Sequence, residues 1–166
     1  MRRPLKQATP EQPSAATEKP AVSVREIFLR DAEAASQLSG ELGYPATAEL
    51  MTRRIAVLAG RETHTVLVAC IEEQVVGWVD IGIVQHLQGE PYGEIGGMVV
   101  SNEFRGAGIG RQLLARAEQW IAGRGIAQAL VRSQIDRQNA HHFYLREGYS
   151  RIKTSAVFTK PLAPSA

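Results

Sequence analysis

The feature that most limits how this chain can fold is the glycine-rich segment FRGAGIGRQLLARAEQW, at residues 104–120. Gly106, Gly108 and Gly110 lie between Arg105 and Arg111, and apolar residues then recur at helical spacing. The first N–H groups of a helix lack internal partners, and the helix dipole places partial positive charge there. With the two arginines, this pattern predicts a site for a phosphate or pyrophosphate. A plain turn before a helix is the alternative at this point.

Two common phosphate motifs do not fit this segment. A P-loop ends in Gly-Lys-Ser/Thr, whereas Gly110 is followed by Arg111 and Gln112. The dinucleotide fingerprint G-x-G-x-x-G, counted from Gly106, requires a glycine where the chain has Arg111. Neither a P-loop nucleotide site nor a Rossmann dinucleotide site is therefore predicted.

Hydrophobic periodicity predicts an α/β (α+β) domain with elements in the order β-α-α-β-β-β-α-β-α-β. Only two residues separate the strand-like runs 64–71 and 74–84, which indicates a hairpin. Strands 94–100 and 127–133 flank the glycine-headed helix and are expected to be parallel neighbours, and Gly96-Gly97 predicts a bulge. The result is a mixed, mostly antiparallel sheet with helices on both faces. The other predicted elements are a strand at 24–29, helices at 31–42, 47–59, 109–122 and 139–147, and a last strand at 149–160.

Length and composition narrow the class of protein further. We expect a disordered tail at residues 1–22, where prolines are frequent, and one folded domain at 23–163. No apolar run is long enough to span a bilayer, and the first residues lack the apolar stretch of a secretory signal. A single cysteine, Cys70, excludes an intramolecular disulfide and fits a reducing compartment. These features predict a cytoplasmic protein with no membrane role.

Charge is divided unevenly along the chain. Residues 21–100 carry five arginines against eleven acidic residues, and residues 101–166 carry ten basic residues against four acidic ones. A cationic ligand for the first part and an anionic ligand for the second would explain this division, and mutual neutralisation within one fold explains it equally well. Since the two parts cancel, a nucleic-acid partner is not predicted.

Two segments resemble the signature motifs of the GNAT N-acetyltransferases. VVSNEFRGAGIGRQLL is similar to motif A, whose pattern Arg/Gln-x-x-Gly-x-Gly/Ala is met at residues 105–110, after a strand. NAHHFYLREGY, at residues 139–149, resembles motif B. The resemblance follows the element order over residues 24–160 and is strongest over 94–160. It implies the GNAT fold, in which a central pair of parallel strands splays apart.

The resemblance implies acetyl-CoA as co-substrate, wedged between the splayed strands. In the family, the strand before motif A holds the pantetheine arm through main-chain bonds, which corresponds here to Met98, Val99 and Val100. Asn139 would bond the pantetheine or nearby backbone, and Tyr144 matches the tyrosine that lies near the acetyl sulfur. The residues implied to hold the pyrophosphate are Arg105, Gly106, Ala107, Gly108, Ile109, Gly110 and Arg111.

The implied chemistry is attack by an amine on a thioester. The amine must be neutral, although a lysine-like amine has a pKa of ~10.4 in water, so a proton acceptor is needed. Glu94, at the start of the strand that leads into motif A, is the candidate base, acting directly or through water, while Asp80 and His86 are weaker candidates. Tyr144 is the candidate acid for the departing CoA thiolate, the alternative being a core aromatic role. No residues show metal-ligand spacing, so no metal is predicted.

The family resemblance leaves three functions open. The first is an enzyme that acetylates a small cationic primary amine by direct attack in a ternary complex, which suits the acidic first part of the chain. The second is a protein N-terminal or lysine acetyltransferase, and the third is a regulatory module that binds acetyl-CoA without turnover. Many relatives pair strands like 127–133 and 149–160 between subunits, so a homodimer is also expected.

Overall fold

The computed structural model describes residues 21–162. These residues form a five-stranded sheet in the spatial order β1-β2-β3-β4-β5, four α-helices, and short 3-10 helices at Leu29–Asp31 and Asn102–Phe104. The strands are β1 (Val22–Glu26), β2 (His64–Ile71), β3 (Gln74–Val84), β4 (Tyr92–Val100) and β5 (Ala129–Val131). The helices are α1 (Ala32–Leu42), α2 (Ala48–Leu58), α3 (Ile109–Ala122) and α4 (Gln138–Arg146).

The sheet is mixed, which confirms the predicted fold class. Strands β1 to β4 are antiparallel neighbours, whereas β4 and β5 are parallel and pair only over Gly93–Ile95 and Ala129–Val131. Beyond Ile95, β4 continues to Val100 and a cleft separates it from the residues that follow β5. The parallel pair and its crossover helix α3 are as predicted from the chain order.

The two faces of the sheet carry different helices. Helix α3 packs its apolar stripe on the face that presents Val79, Ile81 and Ile95, all at most 1% exposed. Helix α1 covers the opposite face, where a side chain at Gly97 would touch both Trp78 and Leu42. The buried stripe of α3 comprises Ile109, Leu113, Leu114, Ala117 and Ile121, as its helical spacing predicts.

Two β-bulges adjust the register of the sheet. The pairing of β3 with β4 passes from Asp80 and Gly97 to Ile81 and Ile95, so Gly96 is the extra residue, which confirms the bulge predicted from Gly96-Gly97. The pairing of β2 with β3 passes from Cys70 and Val75 to Ala69 and Gly77, which leaves Val76 as a second extra residue. Nothing in the glycine pattern predicted the bulge at Val76.

Asp31 begins α1 in a way that differs from the usual N-cap. It precedes Ala32, the first residue of the helix, but its side chain makes no capping bond. Its two carboxylate oxygens instead accept from Arg25 at 2.7 and 2.9 Å, and one of them also accepts from the Phe28 N–H at 2.8 Å. This carboxylate therefore ties β1 to the start of α1.

The predicted last strand at 149–160 is wrong. Residues 150–162 form neither helix nor strand, and Val157 and Phe158 are 91% and 92% exposed. β-rich composition cannot by itself make a strand, because the backbone groups of a strand need a neighbouring edge to pair with. Strand β5, the edge strand on that side, offers three residues.

The predicted tail at 1–22 lies outside the described residues up to residue 20, and β1 begins at Val22. Within the described part of the chain, no helix has both the length and the apolar composition needed to cross a bilayer.

Candidate active site

A cleft opens where β4 and β5 separate. It is lined by Gly96, Gly97 and Met98 of β4, by Val131 at the end of β5, and by Ala140 and Tyr144 of α4. Within residues 21–162, the β4 backbone beyond Ile95 has no strand partner on the cleft side. Its N–H and C=O groups are therefore available to an extended ligand that carries amides.

The loop between β5 and α4 closes the cleft towards α1. The guanidinium of Arg137 donates to the carbonyl oxygen of Leu42 at 2.7 Å, and the amide of Gln134 donates to the hydroxyl of Tyr44 at 3.3 Å. All four residues line the cleft. These contacts join segments about 90 residues apart in sequence, and the sequence pattern gave no sign of them.

The glycine turn that follows β4 is shaped for close approach of a ligand. Gly106 and Gly108 have φ angles of +80° and +83°, a region that side chains other than glycine rarely adopt. A Cβ at either position would meet no atom within 4 Å, so backbone conformation rather than packing requires the glycines. Gln112 N–H is the first in α3 to bond within the helix, to Gly108 at 3.2 Å. The N–H groups of the residues between them are therefore left for an anion.

The two arginines of the segment lie at the ends of this turn. Arg105 is exposed, and its Nε lies 3.5 Å from the carbonyl oxygen of Val100. Arg111 has a side chain that is 77% exposed, and its Nε lies 3.4 Å from a carboxylate oxygen of Glu147. Both cations are thus accessible, although Glu147 partly neutralises Arg111.

The other residues predicted to bind acetyl-CoA differ in how accessible their side chains are. Met98 lines the cleft, whereas Val99 and Ile109 are buried at 4% and 1% exposure and can offer only backbone groups. Gly110 packs against Phe143, since a Cβ there would lie 3.6 Å from its ring, and so lets α3 approach α4 closely. Asn139 is exposed in the first turn of α4.

Tyr144, the candidate proton donor, lies in the wall of the cleft. Its ring is half-buried and makes edge contacts with Phe143 and Tyr149, with centroids 5.2 and 5.7 Å away. Burial raises the pKa of the Tyr144 hydroxyl, and the charge of Arg137 offsets this in part. Among the described residues no hydrogen-bond partner occupies this hydroxyl, and the raised pKa keeps it protonated at neutral pH.

Glu94 lies on β4 but is engaged by an arginine. Its Oε1 lies 2.5 Å from Nε of Arg132, and Arg132 also donates to the hydroxyl of Tyr92 at 3.4 Å. These hydrogen bonds, the one donated to Glu94 above all, raise the pKa of Arg132. To meet an amine, Glu94 has to share or release its arginine, a constraint that the sequence did not show.

A pair that the sequence reading missed lies on β2 and β3. His64 Nε2 is 2.5 Å from Asp80 Oδ1, and the two side chains are 22% and 33% exposed. Asp80 was a weaker candidate base by itself, and His64 was not considered. The two positions are 16 residues apart, and the bulge at Val76 decides whether they share a face, so only the register could have revealed the pair.

The chain matches the sequence model of the acetyltransferase (GNAT) family over residues 23–149. It therefore belongs to this family of acyltransferases, as the two motifs predicted. The matched span runs from β1 through α4 and so includes the cleft and the glycine turn.

Two curated relatives and one solved structure show the range of similarity. The aminoglycoside N(6')-acetyltransferase type 1 of Stenotrophomonas maltophilia is 26% identical over 150 residues, 88% of this chain and 97% of that protein. The aminoalkylphosphonate N-acetyltransferase of Salmonella typhimurium strain LT2 is 40% identical over 90 residues, 54% of this chain and 57% of that protein. An aminoglycoside N-acetyltransferase, AAC(6')-Iy, solved in complex with CoA, shares the fold with a TM-score of 0.78 at 14% identity, over 89% of this chain and 99% of that one.

Proposed function

We propose that this protein transfers the acetyl group of acetyl-CoA to the primary amine of a small cationic acceptor, by direct attack in a ternary complex. The observation that carries the proposal is the cleft between β4 and β5, with Tyr144 in its wall. Strand β4 leads from this cleft into the glycine turn, so one extended ligand can reach both.

The residues present fit acetyl-CoA, which supplies an activated acetyl group as a thioester. The backbone N–H groups at the start of α3, with Arg105 and Arg111, would bind the pyrophosphate. The backbone of Met98 to Val100 would hold the pantetheine arm. Gly106, Ala107, Gly108, Ile109 and Gly110 would supply the close backbone approach, and Asn139 a further hydrogen bond.

Tyr144 and Glu94 have complementary roles in the proposed reaction. The hydroxyl of Tyr144, which its raised pKa keeps protonated at neutral pH, gives a proton to the departing thiolate. A backbone N–H of β4 is suited to stabilise the charge that develops on the carbonyl oxygen. Glu94 is the carboxylate that draws the cationic amine and, once released by Arg132, is a candidate for its proton.

We infer the chemical class of the acceptor from the distribution of charge along the chain and from the relatives of the chain. The acidic excess of residues 21–100 favours a cationic acceptor, and the relative that aligns with most of the chain acts on aminoglycosides. An aminoalkylphosphonate is the second candidate, because the relative named for it is 40% identical over its aligned part. Both candidates are small primary amines. Neither of these two relatives is named as a protein acetyltransferase or as a regulator.

The test is a calorimetric titration of the full chain with acetyl-CoA, with NADH and ATP in parallel. We expect binding of acetyl-CoA alone, followed by release of CoA thiol when neamine, aminomethylphosphonate or spermidine is added as acceptor. Binding of NADH or ATP would contradict the assigned phosphate site. Binding of acetyl-CoA without thiol release from any acceptor would favour the regulatory role.

We also propose a homodimer and a cytoplasmic location. The exposed apolar residues Ile152, Val157 and Phe158 lie in a segment that has no strand partner among the described residues. A second copy, paired through this segment and β5, would cover them. Sedimentation equilibrium of the full chain, compared with Phe158→Asp, tests this: the variant is expected to be monomeric.

A further inference from the structure

The geometry points to Asp80, held in position by His64, as the group that takes the proton from the acceptor amine. This inference rests on the proposed function and gives the carboxylate of β3 the role of base. Glu94 then attracts the cationic acceptor without accepting its proton.

Asp80 lies on the sheet face opposite α3. Residues Val79 and Ile81, on either side of it, pack under α3, and alternation along the strand turns Asp80 to the other face. His64 pairs with Gly82 in the register, so it shares that face. Glu94 also pairs with Gly82, from β4, and so belongs to the same face. The three side chains therefore lie on the same face of the sheet.

The two oxygens of Asp80 have different surroundings. Oδ1 is bonded to His64 Nε2 at 2.5 Å. Oδ2 points at the bulge, since a Cβ on Gly96 would lie only 2.9 Å from it. Gly96 is itself exposed and lines the cleft that contains Tyr144. One residue without a side chain thus separates the carboxylate from the cleft, and one oxygen of Asp80 remains for an incoming amine.

Asp80 suits the task better than Glu94 does. Glu94 is paired through Oε1 with the guanidinium of Arg132 at 2.5 Å, and an arginine carries a permanent positive charge. The side chain of Asp80 is one-third exposed and its partner is an imidazole, so an amine can approach it without competing with an arginine. The imidazole N–H fixes the carboxylate in one orientation, which is what a base needs for a short proton transfer.

The proton balance of the reaction is complete. The acceptor arrives as an ammonium ion, and Asp80 removes one proton and passes it to solvent. The lone pair of nitrogen then forms the C–N bond while the C–S bond breaks, with its electron pair going to sulfur. As the amide forms, its nitrogen loses a second proton, and this proton replaces the one that Tyr144 has given to sulfur. The products are the acetylated amine, CoA thiol and one proton in solution.

The test compares Asp80→Asn with Glu73→Gln, which removes one negative charge at the far end of the same hairpin. The acceptor is whichever of neamine, aminomethylphosphonate and spermidine the wild type acetylates fastest. We expect Asp80→Asn to lower kcat about 100-fold or more, with acetyl-CoA Kd, acceptor KM and Tm close to wild type. Glu73→Gln should match wild type throughout.

His64 is a positioning residue, and its variants separate that role from a structural one. His64→Gln keeps an N–H donor for Asp80 and should retain most of kcat, whereas His64→Leu should lose on the order of tenfold, as for one missing hydrogen bond. Equal kcat in these two variants would contradict the positioning role.

Several results would overturn the inference. One is a kcat for Asp80→Asn within a factor of about three of wild type, and another is a loss of kcat that is matched by a loss of acetyl-CoA binding or of Tm. A 100-fold loss in Glu94→Gln with none in Asp80→Asn would return the role of base to Glu94. A wild type that binds acetyl-CoA and acetylates none of the three amines would instead refute the proposed function, and the inference would fall with it.

Discussion

The proposed acetyl-CoA side of the site, here called the donor side, and the proposed acceptor side are built on different principles. The donor side is formed mainly by the turn at 105–111, a local structure in which consecutive residues supply the turn, the helix start and the charges, and Tyr144 joins it from α4. The acceptor side, formed by His64, Asp80 and Glu94, is assembled from three strands. The first depends on backbone conformations that only certain residues adopt, and the second depends on register. A motif can therefore reveal the donor side, whereas the acceptor side is visible only in the folded sheet.

The largest effect is expected from a change in the glycine turn, which is the most local part of the donor side. Gly108→Glu places a carboxylate at the proposed phosphate site and should weaken acetyl-CoA binding more than about 100-fold, because repulsion replaces attraction. Calorimetry with acetyl-CoA measures the loss.

The matched control for that variant is Gly125→Glu, at the other end of α3. Gly125 has φ +75° and, like Gly108, would present a Cβ to open space. The two variants share the backbone strain and differ in position, so equal weakening by both would refute the phosphate site.

The second comparison concerns two neighbouring tyrosines. Tyr144→Phe should lower kcat about 10- to 100-fold by removing the proton donor, with acetyl-CoA affinity spared. Tyr149→Phe is the control, because its hydroxyl donates to Glu118 at 3.0 Å. That variant should lose about 1 kcal/mol of unfolding free energy and keep its kcat. Steady-state kinetics measure kcat of both variants, and thermal unfolding measures their stability. An unchanged kcat in Tyr144→Phe would show that Tyr144 is not the acid.

A smaller effect on activity is expected from removal of the negative charge of Glu94, on the acceptor side. Glu94→Gln removes an anion and leaves Arg132 without its partner, so the acceptor KM should rise by about three- to tenfold while kcat changes less. Glu90→Gln, in the exposed loop before β4, removes the same charge four residues earlier in the chain and should change KM little. A larger effect on kcat than on KM in Glu94→Gln would indicate that Glu94 carries the proton.

The smallest effect on activity is expected from Asp31, which lies on neither side. Burial tends to raise the pKa of this carboxyl, but the hydrogen bonds from Arg25 and the Phe28 N–H outweigh it, and the net pKa is lowered. A lowered pKa means that the ionised form stabilises the fold above the unfolded pKa of ~3.9, and that this contribution disappears as the pH falls through the folded value.

Asp31→Asn should therefore reduce the unfolding free energy at pH 7 by about 1–3 kcal/mol, and the difference from wild type should shrink below about pH 4. Denaturant titrations at several pH values measure it, with the exposed Asp136→Asn as control. A difference that stays constant down to pH 3 would show that the charge of Asp31 is not what stabilises the fold.

The elements that the sequence predicted well are those that encode their own geometry. The positive φ angles of Gly106 and Gly108 and the apolar stripe of α3 follow from residue type and spacing. The hairpin of β2 and β3 follows from its two-residue connection. The last strand failed as a prediction because strand composition at 149–160 says nothing about a partner edge.

What the sequence by itself determined is the donor side: the glycine turn, the start of α3 and the family to which the chain belongs. What only the tertiary structure decided is the set of partners on the acceptor side. Without the extra residue at Val76, His64 would pair with Ile81 instead of Gly82 and would point under α3, away from Asp80. The extra residue at Gly96 likewise brings Asp80 beside the cleft. A shift of one residue in a strand exchanges its two faces, and such a shift is set by packing across the whole sheet.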